Sequence, residues 1–170
     1  TLQELGRLDE AEASYKQALA LNPDLANAHS NLGAIFYELG RLDEAEASLR
    51  QAIALKPDYA KAHYNLGVTL RELGRLEEAE ASYKQAIALK SDYTEAHNNL
   101  GATLQESGRF DEAEASLRQA ITLNPDLTEA HNNLGSTLGE LGRFDEAEAS
   151  LRHTIAINPN HCQASHAKAH

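Results

Sequence analysis

Four asparagines, Asn31, Asn65, Asn99 and Asn133, stand 34 residues apart, and each is followed by Leu and Gly. A carboxamide offers one acceptor and two donors, the complement of the N–H and C=O groups of an extended chain whatever that chain's side chains are. A row of them on one surface would grip peptide backbone. One such contact contributes only about 1 kcal/mol net, so a grip needs several at once. The competing reading is that each amide bonds a neighbouring helix or water and serves packing alone.

Glutamates keep the same interval, at Glu4, Glu38, Glu72, Glu106 and Glu140, and would turn partners toward basic or uncharged chains. Arg7, Arg41, Arg75, Arg109 and Arg143 follow three residues later, so local Glu–Arg pairs on a solvated face are the plainer account. His29, His63, His97 and His131 also recur, but successive repeats set them roughly 10 Å or more apart, too far to share a metal. They suit a slot between helices. Cys162, His166 and His170 are spaced by four and on a helix would offer thiolate and imidazole to zinc or nickel from one face; a frayed chain end is the favoured alternative. No serine lies in a Gly-x-Ser-x-Gly elbow and no glycine loop could cradle phosphate. Neither a catalytic residue nor a cofactor is expected.

The elements that position these rows follow from the period. Within residues 94–127, Ala96, Leu100, Thr103, Leu104 and Ser107 fall on one helical face, and Ala113, Leu117, Ala120, Ile121 and Leu123 on another. Gly108 reads as the left-handed stop between the two helices, and Asp111 with Glu114 as a capping pair opening the second. The pairing recurs at Asp9/Glu12, Asp43/Glu46, Glu77/Glu80 and Asp145/Glu148, and the glycine at Gly6, Gly40, Gly74 and Gly142. Pro23, Pro57, Pro125 and Pro159 end the second helix, with Ser91 in that place once. Gly33, Gly67, Gly101 and Gly135 sit inside the first helix at a propensity cost of about 1 kcal/mol each, which a close helix crossing would offset.

A fixed period of this length predicts an all-α solenoid of antiparallel helix hairpins, each burying its apolar face only on its neighbours. The units are a partial repeat over 1–25, with the stub of a first helix before a complete second one, then full repeats over 26–59, 60–93, 94–127 and 128–161. Residues 162–170 open a further helix. Thr1-Leu2-Gln3-Glu4 aligns with Thr103-Leu104-Gln105-Glu106 and there is no Met, so the chain is expected to be a piece of something longer. Ends without polar caps would leave Leu2, Leu8, Tyr15, Leu19 and Leu21 partly open and favour end-to-end self-association.

The pattern Asn-Leu-Gly, Gly-Arg-Phe/Leu-Asp-Glu-Ala, Ala-Ile/Leu and Leu-Asn/Lys-Pro resembles the tetratricopeptide repeat over nearly the whole chain. The resemblance implies a right-handed superhelix whose first helices line a concave groove. The asparagine row is similar to that in the repeat arm of O-linked N-acetylglucosamine transferases. His29, His63, His97 and His131 depart from the family, which has a bulky aromatic there.

On the groove stripe, helical spacing places Asn27, Asn31, Ala34 and Glu38, then Lys61, Asn65, Val68 and Glu72, then Glu95, Asn99, Ala102 and Glu106, then Glu129, Asn133, Ser136 and Glu140. Lys61, Tyr64 and Arg71 set residues 60–93 apart, where 5 acidic residues meet 5 basic ones. Most neighbouring groove positions are Asn98, Asn132, Ser30, Glu95 and Glu129, where the family's chaperone-tail clamps have Lys and Arg beside the asparagines. A chaperone carboxylate clamp is thereby disfavoured.

The whole chain has 15 Lys and Arg against 26 Asp and Glu, a net charge of −11 spread over the repeats, which argues against a nucleic-acid partner. No apolar run approaches the ~20 residues that cross a bilayer, so no membrane role is expected. The single cysteine forms no internal disulfide, and a reducing, cytoplasmic compartment is favoured. The leading expectation is a non-catalytic module that captures a protein or extended peptide, neutral or basic, in its groove. The alternatives are the substrate-recruiting arm of a larger enzyme such as a glycosyltransferase, and an architectural or self-assembling scaffold. Repeats 94–127 and 128–161 agree at 25 of 34 positions, which suits either a repetitive ligand or structural tiling.

Overall fold

The computed structural model describes residues 2–157. Cys162, His166 and His170, considered above as metal ligands, lie outside the described residues. Within those residues the elements are α-helices: α1 (Leu2–Leu21), α2 (Ala26–Glu38), α3 (Leu42–Leu55), α4 (Ala60–Glu72), α5 (Leu76–Leu89), α6 (Thr94–Glu106), α7 (Phe110–Leu123), α8 (Thr128–Glu140) and α9 (Phe144–Ile157). They form two compact units, divided between Ser91 and Asp92.

In unit 1, α2 pairs with α3 and α4 with α5; α1 packs on α2, α3 on α4, and α2 lies beside α4. Unit 2 repeats the scheme, with α6 on α7, α8 on α9, α7 on α8, and α6 beside α8. Each hairpin turns through a glycine at φ near +73°, namely Gly40, Gly74, Gly108 and Gly142. That conformation is open to Gly without a Cβ penalty, and it lets Arg41 N–H reach Phe36 C=O (2.8 Å) and Gly40 N–H reach Tyr37 C=O (2.9 Å), so the helix's last carbonyls are satisfied.

The glycines inside the first helices mark the predicted crossings. A Cβ at Gly33 would lie 2.6 Å from Leu49 Cγ, at Gly101 2.6 Å from Leu117 Cγ, and at Gly67 2.7 Å from the Tyr83 ring. Around them sit the cores: Leu32, Phe36 and Ala45 with Tyr15 and Leu19 in unit 1, and Leu117, Leu134, Leu138 and Ala147 with Ile121 in unit 2.

Two local expectations fail. The break at Gly6 is not made: α1 runs unbroken from Leu2 to Leu21, and Gly6 takes no positive φ. A glycine permits the left-handed turn without compelling it, and here Gly6 stays within the helix. The capping pairs are not made either. The N-caps of α3, α5 and α7 are Arg41, Arg75 and Arg109, with no side-chain cap hydrogen bond, because the helices begin one residue before the acidic one. The glutamates instead bond cations one turn on, as in Glu46–Arg50 (2.8 Å), Lys84–Glu80 (2.6 Å) and Arg118–Glu114 (2.8 Å).

Candidate functional site

In each unit the face made by the first helices is the candidate surface, and the two faces differ. In unit 1, α2 and α4 expose Asn27, Glu38, Lys61 and Glu72, with Asn31, Tyr64, Asn65, Val68 and Arg71 half-buried. Asn31 Nδ2 donates to Tyr15 Oη at 3.1 Å, so one of its two hydrogens is committed to α1. The Asn65 backbone carbonyl accepts from Thr69 Oγ1 (2.9 Å), and the Asn65 carboxamide makes no hydrogen bond among the described residues. Tyr64 packs on Tyr83 of α5 with ring centroids 5.9 Å apart, so the residue expected to face a ligand is partly spent on packing.

In unit 2 the amides turn to one another. Asn133 Nδ2 on α8 donates to Asn98 Oδ1 on α6 at 3.2 Å, and Asn98 Nδ2 lies 3.5 Å from Asn99 Oδ1, the long end of the range. Asn98, expected on the open groove, is 2% exposed. Nearer the helix ends Gln105 Nε2 donates to Ser136 Oγ at 2.8 Å. Asn99, Asn132 and Asn133 are half-buried, and Glu95, Glu106, Glu129 and Glu140 are exposed.

The expected Glu38–Arg41, Glu72–Arg75 and Glu140–Arg143 pairs are replaced by a larger arrangement on the second helices. Arg41 bonds Glu44 through Nε and Nη2 and reaches Glu12 through Nη1 at 2.7 Å. Arg75 binds Glu78 in the same two-toothed way and Glu46 at 2.6 Å, while Arg50 joins Glu46 (2.8 Å) and Glu78 (3.1 Å). The ring closes again in unit 2 over Glu114, Arg118, Glu146 and Arg143. Burial pushes the Glu46 and Glu114 carboxyls up, but hydrogen bonds from two arginines each outweigh it and hold both below the usual carboxylate range. Arg75 and Arg143, bonded to Glu78 and Glu146, hold those carboxyls down as well. The row Glu38, Glu72 and Glu140 is thus released from its arginines and stands exposed.

Sequence reading missed two features. His29, His63 and His131 each bond the carbonyl of the proline six residues earlier, Pro23, Pro57 and Pro125, at 2.8–2.9 Å. The histidine in the family's aromatic slot therefore also ties the inter-repeat turn to the first helix, and the common His–Pro spacing was the available signal. The other is a slot of about 520 Å³ in each unit, lined in unit 1 by Arg50, Ile53, His63 and Leu66 and in unit 2 by the residues 68 later, Arg118, Ile121, His131 and Leu134. Among the described residues, no cluster of three or more His, Cys, Asp or Glu could hold a metal, and no helix is long and apolar enough to cross a membrane.

Family models of the TPR repeat and the tetratricopeptide repeat match residues 2–40 and residues 24–92, 60–126 and 92–160. The chain belongs to the tetratricopeptide repeat family. Solved members of similar fold include MamA, 24% identical with a TM-score of 0.85 over 95% of this chain and 94% of that one. MamA from Desulfovibrio magneticus RS-1 is 16% identical with a TM-score of 0.84, covering 92% of this chain and 89% of that one. YrrB, a TPR protein with an unusual peptide-binding site, is 28% identical with a TM-score of 0.79, over 98% of this chain and 86% of that one. No curated protein matches the chain in sequence.

Proposed function

We propose that this tetratricopeptide repeat chain is a non-catalytic interaction module that binds an extended peptide along its first-helix faces, with Asn31, Asn65, Asn99 and Asn133 as the amides that meet peptide backbone. Asn27, Lys61, Tyr64, Arg71, Asn98, Asn132 and the row Glu38, Glu72, Glu106 and Glu140 flank that line. The observation that carries the reading is the Asn65 carboxamide, half-buried and without an intramolecular partner, on a stripe whose rim keeps Asn27 and Lys61 in solvent. An unmade amide hydrogen bond at such a place favours a ligand that can make it. The chain's 28% identity with YrrB, a protein with a peptide-binding site, supports the same class of ligand. The exposed glutamates and the net charge of −11 favour a neutral or basic peptide.

Fluorescence anisotropy with fluorescein-labelled peptide pools tests this, one pool of Ala, Ser, Thr and Val, one enriched in Lys and one in Glu. The first two should bind and the third should not. Changing the four asparagines together to Ala should abolish binding while circular dichroism stays helical; pools bound equally by that variant and the parent would overturn the proposal.

A second reading, self-association through apolar ends, is favoured by α9. Phe144, Leu151 and Ile155 share one helical stripe and are 72%, 42% and 46% exposed. On α1 Leu21 is 84% exposed, while Leu8, Tyr15 and Leu19 are half-buried. Sedimentation velocity should show mass rising with concentration in the parent and not in Phe144→Glu; a constant monomer excludes this reading.

A further inference from the structure

The 34-residue register makes Ser30 the counterpart of Asn98, and Asn65 the counterpart of Asn133, each two repeats earlier. In unit 2 that pair of positions is joined, α8 to α6, by Asn133 Nδ2 donating to Asn98 Oδ1. In unit 1, α2 lies beside α4 as α6 lies beside α8, yet the bond is missing. Ser30 is fully buried and its Oγ has no hydrogen-bond partner. It does not even bond back to the carbonyl four residues earlier, as Ser14, Ser82 and Ser107 do. The cause is length: the serine hydroxyl stands one bond nearer the backbone than the asparagine amide oxygen and falls short of the neighbouring helix.

From this we infer that Ser30 is a positioning residue that frees Asn65, so that unit 1 is the unit whose amide binds peptide backbone, while Asn98 holds Asn133 out of service in unit 2. The inference rests on the peptide-binding reading above and narrows it. Ser30 itself touches no ligand, being buried beneath the face. Its short side chain leaves both donor hydrogens and the acceptor of Asn65 for the visiting chain. The surroundings agree: beside Asn65, Lys61 is exposed, and the α4 stripe carries charges of both signs, whereas the charged residues on the stripes of α6 and α8 are glutamates throughout. A segment with neutral side chains therefore meets no opposing charge beside Asn65, and a segment with acidic side chains is opposed by the glutamates of α6 and α8.

The test exchanges the two residues. Ser30→Asn should let α2 capture Asn65 as α6 captures Asn133, and weaken binding of the Ala/Ser/Thr/Val pool about fivefold, the worth of one hydrogen bond. Asn65→Ala should weaken it by at least as much, and more than Asn133→Ala does. Asn98→Ser should bring Asn133 into play. The side-chain amide resonances of the two asparagines report this directly. In the parent, added peptide should shift Asn65 and not Asn133, and in Asn98→Ser it should shift both. Asparagine is already accommodated at this position in unit 2, so Ser30→Asn is expected to fold. Ser30→Ala, equally short, is the control that should bind as the parent does. Equal losses from Asn65→Ala and Asn133→Ala, or Ser30→Asn binding like the parent, would overturn the inference and leave peptide binding standing. No binding by the parent would remove the wider reading and this one with it.

Discussion

Asn133 and Gln105 close the face of unit 2 with hydrogen bonds to Asn98 and Ser136, whereas the matching residues of unit 1 are Asn65, Tyr37, Ser30 and Val68, which cannot form that pattern. Beneath this difference the two units are built alike. Both turn at glycines of φ near +73°, both thin the first helix to a glycine where it crosses the second, and both close a four-membered ring of charge on the second helices. The lesson is a division of labour within one repeat. The glycine of each crossing recurs in every first helix, while positions between adjacent first helices vary and decide whether an amide serves the fold or a partner.

The largest effects should come from the shared part and should be equal in the two units. Gly33→Ala and Gly101→Ala both drive a methyl to 2.6 Å from a leucine Cγ and to 3.2 Å from a backbone carbonyl, of Ala45 and Ala113. Overpacking of this kind costs about 1–3 kcal/mol, more than the propensity gained by removing a helical glycine. Gly139→Ala, where a Cβ would meet nothing within 4 Å, should instead stabilise α8 by up to about 1 kcal/mol. Urea titration followed by circular dichroism gives the differences. A large loss at Gly101 with none at Gly33 would show that the two crossings are not equivalent.

This shared part is the one that could be read from the chain. Gly33 and Gly101 announce themselves because a poor helix former recurs where helix formers surround it, and Gly40 because a helix ends there in every copy. Gly6 misled because a glycine permits a left-handed turn without compelling one, and α1 runs through it. The acidic pairs misled for another reason: Asp43 and Glu46 have the spacing of a cap, but Arg50, one helical turn on, and Arg75, nearby only after folding, offer Glu46 two charge-assisted bonds. The face was legible as a stripe and illegible in its bonding. Whether Asn133 points at a ligand or at Asn98 depends on a contact between residues 35 apart in the sequence, which no local pattern encodes.

Next in size come the amides, and here the units should respond with opposite signs. Asn98→Ala removes a buried acceptor and its bond to Asn133, at a cost of about 1–2 kcal/mol. Ser30→Ala removes a buried hydroxyl that bonds nothing and puts a better helix former in its place, so it should raise stability by a few tenths to about 1 kcal/mol. Because a repeat stack need not unfold in one step, amide hydrogen exchange across α2 and α8 is the measurement of choice. Protection should fall in α8 with the first change and rise in α2 with the second. Two changes of the same sign would mean that Ser30 is satisfied after all and that the faces differ less than their bonding suggests.

The smallest effect belongs to the charge rings, which stand mostly in solvent, and again it should be equal in the two units. Glu46, Glu78, Glu114 and Glu146 are all held below the ordinary carboxylate range by their arginines in the folded chain. A group whose folded value lies below its unfolded one, about 4.3 for Glu, contributes fully above the unfolded value and loses that contribution as pH falls through the folded one. The thermal midpoint should therefore stay level from neutral pH to about pH 5 and decline below pH ~4.3, with the decline shared between Glu46→Gln and Glu114→Gln, each of which should remove about the same part of it. Added salt at neutral pH should lower the midpoint of the parent only slightly, since partners in contact at 2.6–2.8 Å are screened less than distant charges. A decline that vanished in Glu46→Gln and persisted unchanged in Glu114→Gln would place the acid response in unit 1 alone, and the equivalence of the two rings, which the matching distances of 2.6 Å for Arg75–Glu46 and Arg143–Glu114 imply, would not hold in solution.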